Sequence, residues 1–112
     1  MYKRQVSLRD DRAPLDDIVE ACSLILSRMK GVKLPDFISD RTLQDSVVLR
    51  LIVIGEAAKH LSPETRKRHR TINWKDIARL RDLIVHPYWD LDVPKIWEIV
   101  RKDVPQLLET LT

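Results

Sequence analysis

Arg81, His86 and Tyr88 fall within one short stretch, Arg81-Asp-Leu-Ile-Val-His-Pro-Tyr88, and their side chains suit chemistry on a phosphodiester. A guanidinium can hold phosphate oxygens by bidentate contacts and stabilise negative charge as it builds. An imidazole titrates near neutrality and can move a proton on or off oxygen. With RNA the attacking group can be the neighbouring 2′-hydroxyl, so the reaction needs neither a metal ion nor a bound water. The rest of the chain offers no competing chemistry. It has no Gly-rich phosphate loop, no Gly-x-Ser-x-Gly elbow and no His-x-x-x-His or carboxylate–histidine ligand spacing. No metal or other cofactor is expected.

The spacing constrains how these groups could meet. On one ideal helix Arg81 and His86 point roughly 140° apart, whereas Arg79 and His86 lie roughly 20° off a common face. Convergence requires His86 to leave the helix, as Pro87 favours, or two copies of the segment to face each other across a dimer seam. The bland alternative is a helix-ending His86 with Arg81 as a surface cation paired to Asp76 or Asp82. His60 reads as a helix-end residue and His69 as surface charge. The basic run Arg66, Lys67, Arg68, Arg70 is a solvated face that could also guide RNA by counterion release. Trp74 and Trp97 sit in helical apolar registers and read as core anchors. Trp89, beside Tyr88, is the better candidate for stacking on a base.

The elements that must position these residues are helical. The chain has 112 residues, 44% hydrophobic and 33% charged, a globular composition with room for one domain. Only two glycines occur, and the Asn-Gly and Asp-Gly signals of tight hairpins are absent. The single cysteine, Cys22, excludes an internal disulfide and lies on an apolar helix face, as a buried small hydrophobe would. The N-terminus lacks an apolar segment, and the run Val47–Ile54 is broken by Arg50 and too short to cross a bilayer. A cytoplasmic location without membrane contact is expected. The net charge of +3 permits contact with phosphate without demanding it.

Residues 1–12 form a loosely held lead-in. Pro14 opens a first helix with Leu15, Ile18, Val19, Cys22, Ile25, Leu26 and Met29 on one face, ending near Gly31. After a break at Pro35 and Asp36, Ser39 or Asp40 caps a second helix with the stripe Leu43, Val47, Leu51, Ile54, Ala58, Leu61. Val48, Ile52 and Val53 add a second apolar side to it, which suits a subunit interface. Ser62-Pro63-Glu64 starts a short helix. Asn73 caps a further helix running through Trp74, Ile77, Leu80, Ile84 and Val85 until Pro87 stops it. Asp92 caps the last helix, which Pro105 kinks. The expected fold is all-α, a bundle of four main helices plus a short one, dimerising through helices.

The stretch Arg81 to Tyr88 resembles the Arg, four to six residues, His-x-Tyr signature of the HEPN superfamily. The wider chain is similar to its HepT-like branch, toxins paired with MntA-type nucleotidyltransferase antitoxins. The supporting stretches are Ile54-Gly-Glu-Ala-Ala-Lys59, Asn73-Trp-Lys-Asp-Ile77, and the region from Asp90-Leu-Asp92 through Ile96-Trp97 to Asp103-Val-Pro105, so the likeness covers nearly all of residues 14–111. It implies that the chain is one such helical domain and that Arg81 and His86 are the catalytic pair of a metal-independent ribonuclease, built where two protomers meet. Asp82 fills a place that is usually polar, often asparagine. Tyr88 matches the tyrosine that the antitoxin adenylylates, and a bulky anionic adduct there would repel RNA. Pro87 departs from the pattern, whose slot is often smaller or more polar.

The function expected on these grounds is a homodimeric ribonuclease toxin of a type VII toxin–antitoxin system. Its substrate is RNA, with transfer RNA a candidate. Arg79, Asp82, Trp89 and the basic run are its supporting residues. The alternative is a non-catalytic module that binds a nucleotide or docks a nucleotidyltransferase. A DNA-binding regulator is weaker, because no recognition helix follows the basic run.

Overall fold

A computed structural model describes residues 10–85 and 90–112, with the backbone alone given for Arg81, residues 83–85 and Asp90. Helix α1 (Arg12–Met29) has Pro14 in its first turn and buries Ile18, Ala21, Cys22, Ile25 and Met29, the face the periodicity predicts. Gly31 follows at φ 75°, a left-handed conformation that lets the chain turn away from the helix end. The Pro35–Asp36 break is itself helical. Pro35 sits in the first turn of α2 (Leu34–Ser39), where its fixed φ suits a helix start and its missing N–H costs nothing. This short helix is absent from the sequence expectation. It buries Phe37 completely.

Helix α3 (Arg41–Lys59) is the spine. Asp40 is its cap, accepting from the Leu43 N–H at 2.9 Å. The expected stripe is inward, with Val47, Leu51 and Ile54 fully buried. Each such side chain contributes roughly 1.5–3 kcal/mol on leaving water. α1 packs along α3, and the C-terminal helix crosses α1. Of the second apolar side of α3, Val48 is buried in the core and Ile52 and Val53 are half-buried; Leu49, outside the predicted set, is 55% exposed.

Helix α4 (Pro63–Arg68) begins at Ser62, whose Oγ accepts from the Thr65 N–H at 3.3 Å. The Asp11 carboxylate ties this helix start to the start of α1. It accepts from the Ser62 N–H at 3.1 Å, from Ser62 Oγ at 2.6 Å and from Thr65 Oγ1. Ser62 and Thr65 are buried, so these hydroxyls need such a partner.

The long fourth helix expected up to Val85 does not form. Helix α5 (Trp74–Ala78) is capped by Asn73 and closes after five residues into a 3-10 turn, Leu80–Leu83. Two-residue strands follow, β1 (Ile84–Val85) and β2 (Asp90–Leu91), paired antiparallel with Ile84 opposite Leu91 and Val85 opposite Asp90. Two causes act together. β-branched Ile84 and Val85 favour extended backbone, and the strand partner supplies hydrogen bonds that helix termini would leave open. Apart from this small ladder the architecture is all-α.

The last helical stretch is α6 (Val93–Glu98), a π turn (Ile99–Asp103) and α7 (Val104–Leu111). Asp92 caps it at the Lys95 N–H, 3.2 Å away. Pro105 stands in the first turn of α7, directly after the π turn. Pro105 has no N–H to offer the preceding turn, and the Val104 N–H reaches back to the Ile99 carbonyl in the wider register. No helix among the described residues is long and apolar enough to cross a membrane.

Candidate active site and its surroundings

The segment that carries the candidate site is placed by one glycine. Gly55 of α3 faces the end of α5, and a Cβ there would lie 3.1 Å from the Ile77 carbonyl oxygen, 3.5 Å from that of Ala78 and 3.7 Å from Leu80 Cβ. The absent side chain therefore lets the backbone of residues 77–80 settle directly onto the spine helix. Leu80 is buried there, 8% exposed, and it is the last residue before Arg81. α5 itself buries no side chain fully. Backbone approach at Gly55 and the Leu80 anchor thus fix where the 3-10 turn begins.

The helical angles drawn from an ideal α5 do not apply. The backbone of Arg81 lies in a 3-10 turn, closed in part by the Asp82 N–H donating to the Arg79 carbonyl at 2.9 Å. The chain then enters β1, and residues 86–89 connect Val85 to its ladder partner Asp90. His86, Tyr88 and Trp89 lie outside the described residues. The expectation that the chain leaves the helix before His86 is met earlier than Pro87 requires, at Ala78.

Arg79 and Asp82 come together on a groove of about 600 Å³ whose apolar floor includes Ile72, Ile77 and Ile99. Its charge is acidic: Asp76, Asp82, Asp92 and Asp103 face it, against Arg79 and Lys95. Asp76 is the residue paired with a guanidinium, but the partner is Arg79, at 3.1 Å between exposed groups. Such a surface pair contributes only about 0–1 kcal/mol.

The basic run divides. Arg66 is half-buried, and its Nη2 donates to the carbonyls of Ala58 at 3.1 Å and Lys59 at 3.3 Å, so its guanidinium closes the C-terminus of α3. Lys67, Arg68 and Arg70 are exposed, with Arg68 Nη2 donating to Thr65 Oγ1 at 3.2 Å. None of the four lines the groove beside Arg79 and Asp82. His60 ends α3 as an exposed C-cap. Trp74 packs against the core with its Nε1 donating to the His69 carbonyl at 3.1 Å. Cys22 is buried, and burial pushes its thiol up to about 12. Among the described residues no cluster of three or more His, Cys, Asp or Glu side chains gathers to hold a metal.

Comparison with known proteins decides the family. The family model described as ribonuclease HepT-like matches residues 18–112. The chain belongs to the HepT-like ribonuclease family. At the level of the family it is an enzyme of RNA cleavage. A protein named as a candidate RNase in Caldanaerobacter subterraneus subsp. tengcongensis is 36% identical over 100 residues, covering 89% of each chain. A protein named as a candidate ribonuclease HepT in Thermococcus cleftensis is 35% identical over 99 residues, covering 88% of this chain and 90% of that one. A longer protein of Methanocaldococcus jannaschii, named as a gamma-glutamylcyclotransferase and candidate RNase, is 37% identical over 103 residues, which are 92% of this chain but 46% of that protein. No solved structure matches. The HepT-like match spans the spine helix, the Arg81 turn and the strand pair together.

Sequence reasoning missed three features of the site region. Gly55 reads in the sequence only as a glycine that fails to interrupt a helix, although a glycine inside a long buried helix is itself a signal of close backbone approach. The strand pair carries no turn signal. The surroundings of Trp97 are hidden because an apolar register does not reveal which face of a ring stays open.

Proposed function

We propose that this HepT-like chain is a metal-independent ribonuclease toxin whose site is composite across a homodimer, with Arg81 and His86 as the catalytic pair. The family match over the segment from the spine helix to the C-terminus carries the reading. Arg81 binds the scissile phosphate and stabilises its developing charge, while His86 moves protons at the 2′-oxygen and the leaving oxygen. Arg79 and Asp82, which line the acidic groove, tune the local field. The strip of Leu49, Ile52 and Val53 on α3, exposed or half-buried beside the buried Val48, supports a helix-mediated dimer. Tyr88 is the control point, adenylylated by a nucleotidyltransferase antitoxin of a type VII system, with the added anion repelling RNA.

The test is incubation of the purified protein with total RNA in EDTA, beside His86→Ala and Arg81→Ala. Cleavage that survives chelation and is lost in both variants, with the dimer and its melting curve preserved, is the expected result. Equal cleavage by the variants would sink the assignment of the pair. Mass spectrometry after incubation with ATP and the antitoxin should find adenylyl groups on wild type and none on Tyr88→Phe.

A further inference from the structure

We infer that the exposed face bearing Lys95, Arg101 and Lys102 is a second RNA-binding surface, where the Arg101 guanidinium stacks a base and the two lysines hold phosphate. The inference rests on the ribonuclease reading and adds to it a strand-holding site outside the catalytic stretch.

The observation behind it is a guanidinium set over the outer member of a tilted aromatic pair. Phe37 of α2 is fully buried, and the ring of Trp97 lies on it with centroids 5.6 Å apart and planes tilted by 41°. Arg101 Cζ sits 5.2 Å from the centroid of the Trp97 ring. A guanidinium held over an aromatic ring loses less freedom when it engages a ligand, and its outer face accepts a base by stacking. Arg101 is exposed and has no ion pair among the described residues, and the same holds for Lys95 and Lys102. These cations share a shallow groove of about 670 Å³ with Trp97, in which two carboxylates, Asp92 and Glu98, leave the balance positive. The Asp92 carboxylate already accepts the Lys95 N–H.

Position favours RNA over an acidic protein segment. The groove begins at Asp92, directly after β2, the strand that closes the connection containing His86 and Tyr88. The groove on the other side shares Asp92 and Lys95 and adds Asp76, Asp82 and Asp103 against Arg79, so its balance is negative and disfavours a polyanion. Of the two grooves that meet at Asp92 and Lys95, the one on the Arg101 side is therefore the one that attracts an RNA strand. A planar stacking layer flanked by flexible ammonium groups also matches the alternation of bases and phosphates in single-stranded RNA.

The experiment uses the full-length protein and a short fluorescent single-stranded RNA methylated at its 2′-oxygens, so that binding is read without cleavage. Arg101→Gln should weaken binding about tenfold, the scale of removing one stacked base. Lys95→Gln with Lys102→Gln should lower the slope of log affinity against log salt by ~0.7 for each phosphate the lysines hold. Arg101→Lys should keep that slope yet abolish the preference for RNA over a base-free strand of equal length. Affinities within twofold of wild type in Arg101→Gln and in the double variant would overturn the surface. Cleavage of total RNA by wild type separates the two ideas. If wild type cleaves and the variants bind normally, the surface fails and the ribonuclease reading stands. If wild type binds through Arg101 yet never cleaves, the surface stands and the ribonuclease reading fails.

Discussion

The spine of the bundle and the segment from Trp74 to Leu91 are built on different principles. Along α1 and α3 the position of each turn is over-determined by burial: Ile18, Cys22, Ile25, Val47, Leu51 and Ile54 are all inaccessible to solvent. The site segment has a five-residue helix with no fully buried side chain, a 3-10 turn and a four-residue ladder, and among its described side chains only Leu80 is buried. Among the described residues it is held by backbone contact at Gly55, by short-range hydrogen bonds and by the partly buried Trp74, Ile77 and Leu91 against the core. Stability therefore resides in the spine, and the geometry of the candidate site depends on how the weaker segment leans on it. Segments with few buried side chains open at lower free energy than core helices.

Truncating the spine should have the largest effect on folding. Leu51→Ala or Ile54→Ala should cost roughly 2–5 kcal/mol, measured by urea denaturation, because each leaves a cavity in a packed core. RNA cleavage per folded molecule should change little. Gly55→Ala inverts that pattern. Its methyl would press on the Ile77 carbonyl at 3.1 Å, so the backbone must give by a few tenths of an ångström, at a cost of about 1–3 kcal/mol and with a shift of the 3-10 turn. Its loss of RNA cleavage per folded molecule should exceed that of either core variant. If Gly55→Ala is instead as active as wild type, the close approach does not set the site.

Smaller effects sharpen the same contrast. Ser62→Ala removes the cap of α4 and a donor to Asp11, and should cost about 1 kcal/mol without altering cleavage. Cys22 gives a pH signature of the buried spine. Its folded thiol is raised from about 9 to about 12, so the unfolded chain releases that proton first and stability falls as pH climbs through this window. Cys22→Ala should flatten the decline in alkaline urea titrations, and an identical slope would count against a sealed core at that position. Asp76→Asn, breaking the exposed pair with Arg79, should change the stability read by urea denaturation by less than about 0.5 kcal/mol.

Much of the fold is legible in the residues because helical periodicity, caps and turn signals are local. Asp40, Ser62, Asn73 and Asp92 each cap the helix the sequence assigns to them, and the α1 and α3 stripes face the core as predicted. The order of the motif stretches along the chain is enough to indicate the family, and with it RNA cleavage at the level of the family. What the sequence could not settle depends on residues far apart in the chain. Whether Ile84 and Val85 continue a helix or pair as a strand rests on β2, and where α5 stops rests on a glycine more than twenty positions earlier. Whether Arg66 is a free cation was decided by the carbonyls of Ala58 and Lys59, and whether Arg101 is ordered was decided by Trp97 on Phe37. Local pattern determines which face of a helix is apolar, because that follows from 3.6 residues per turn. Only tertiary packing decides which polar groups on the opposite face are engaged and which remain open to a ligand.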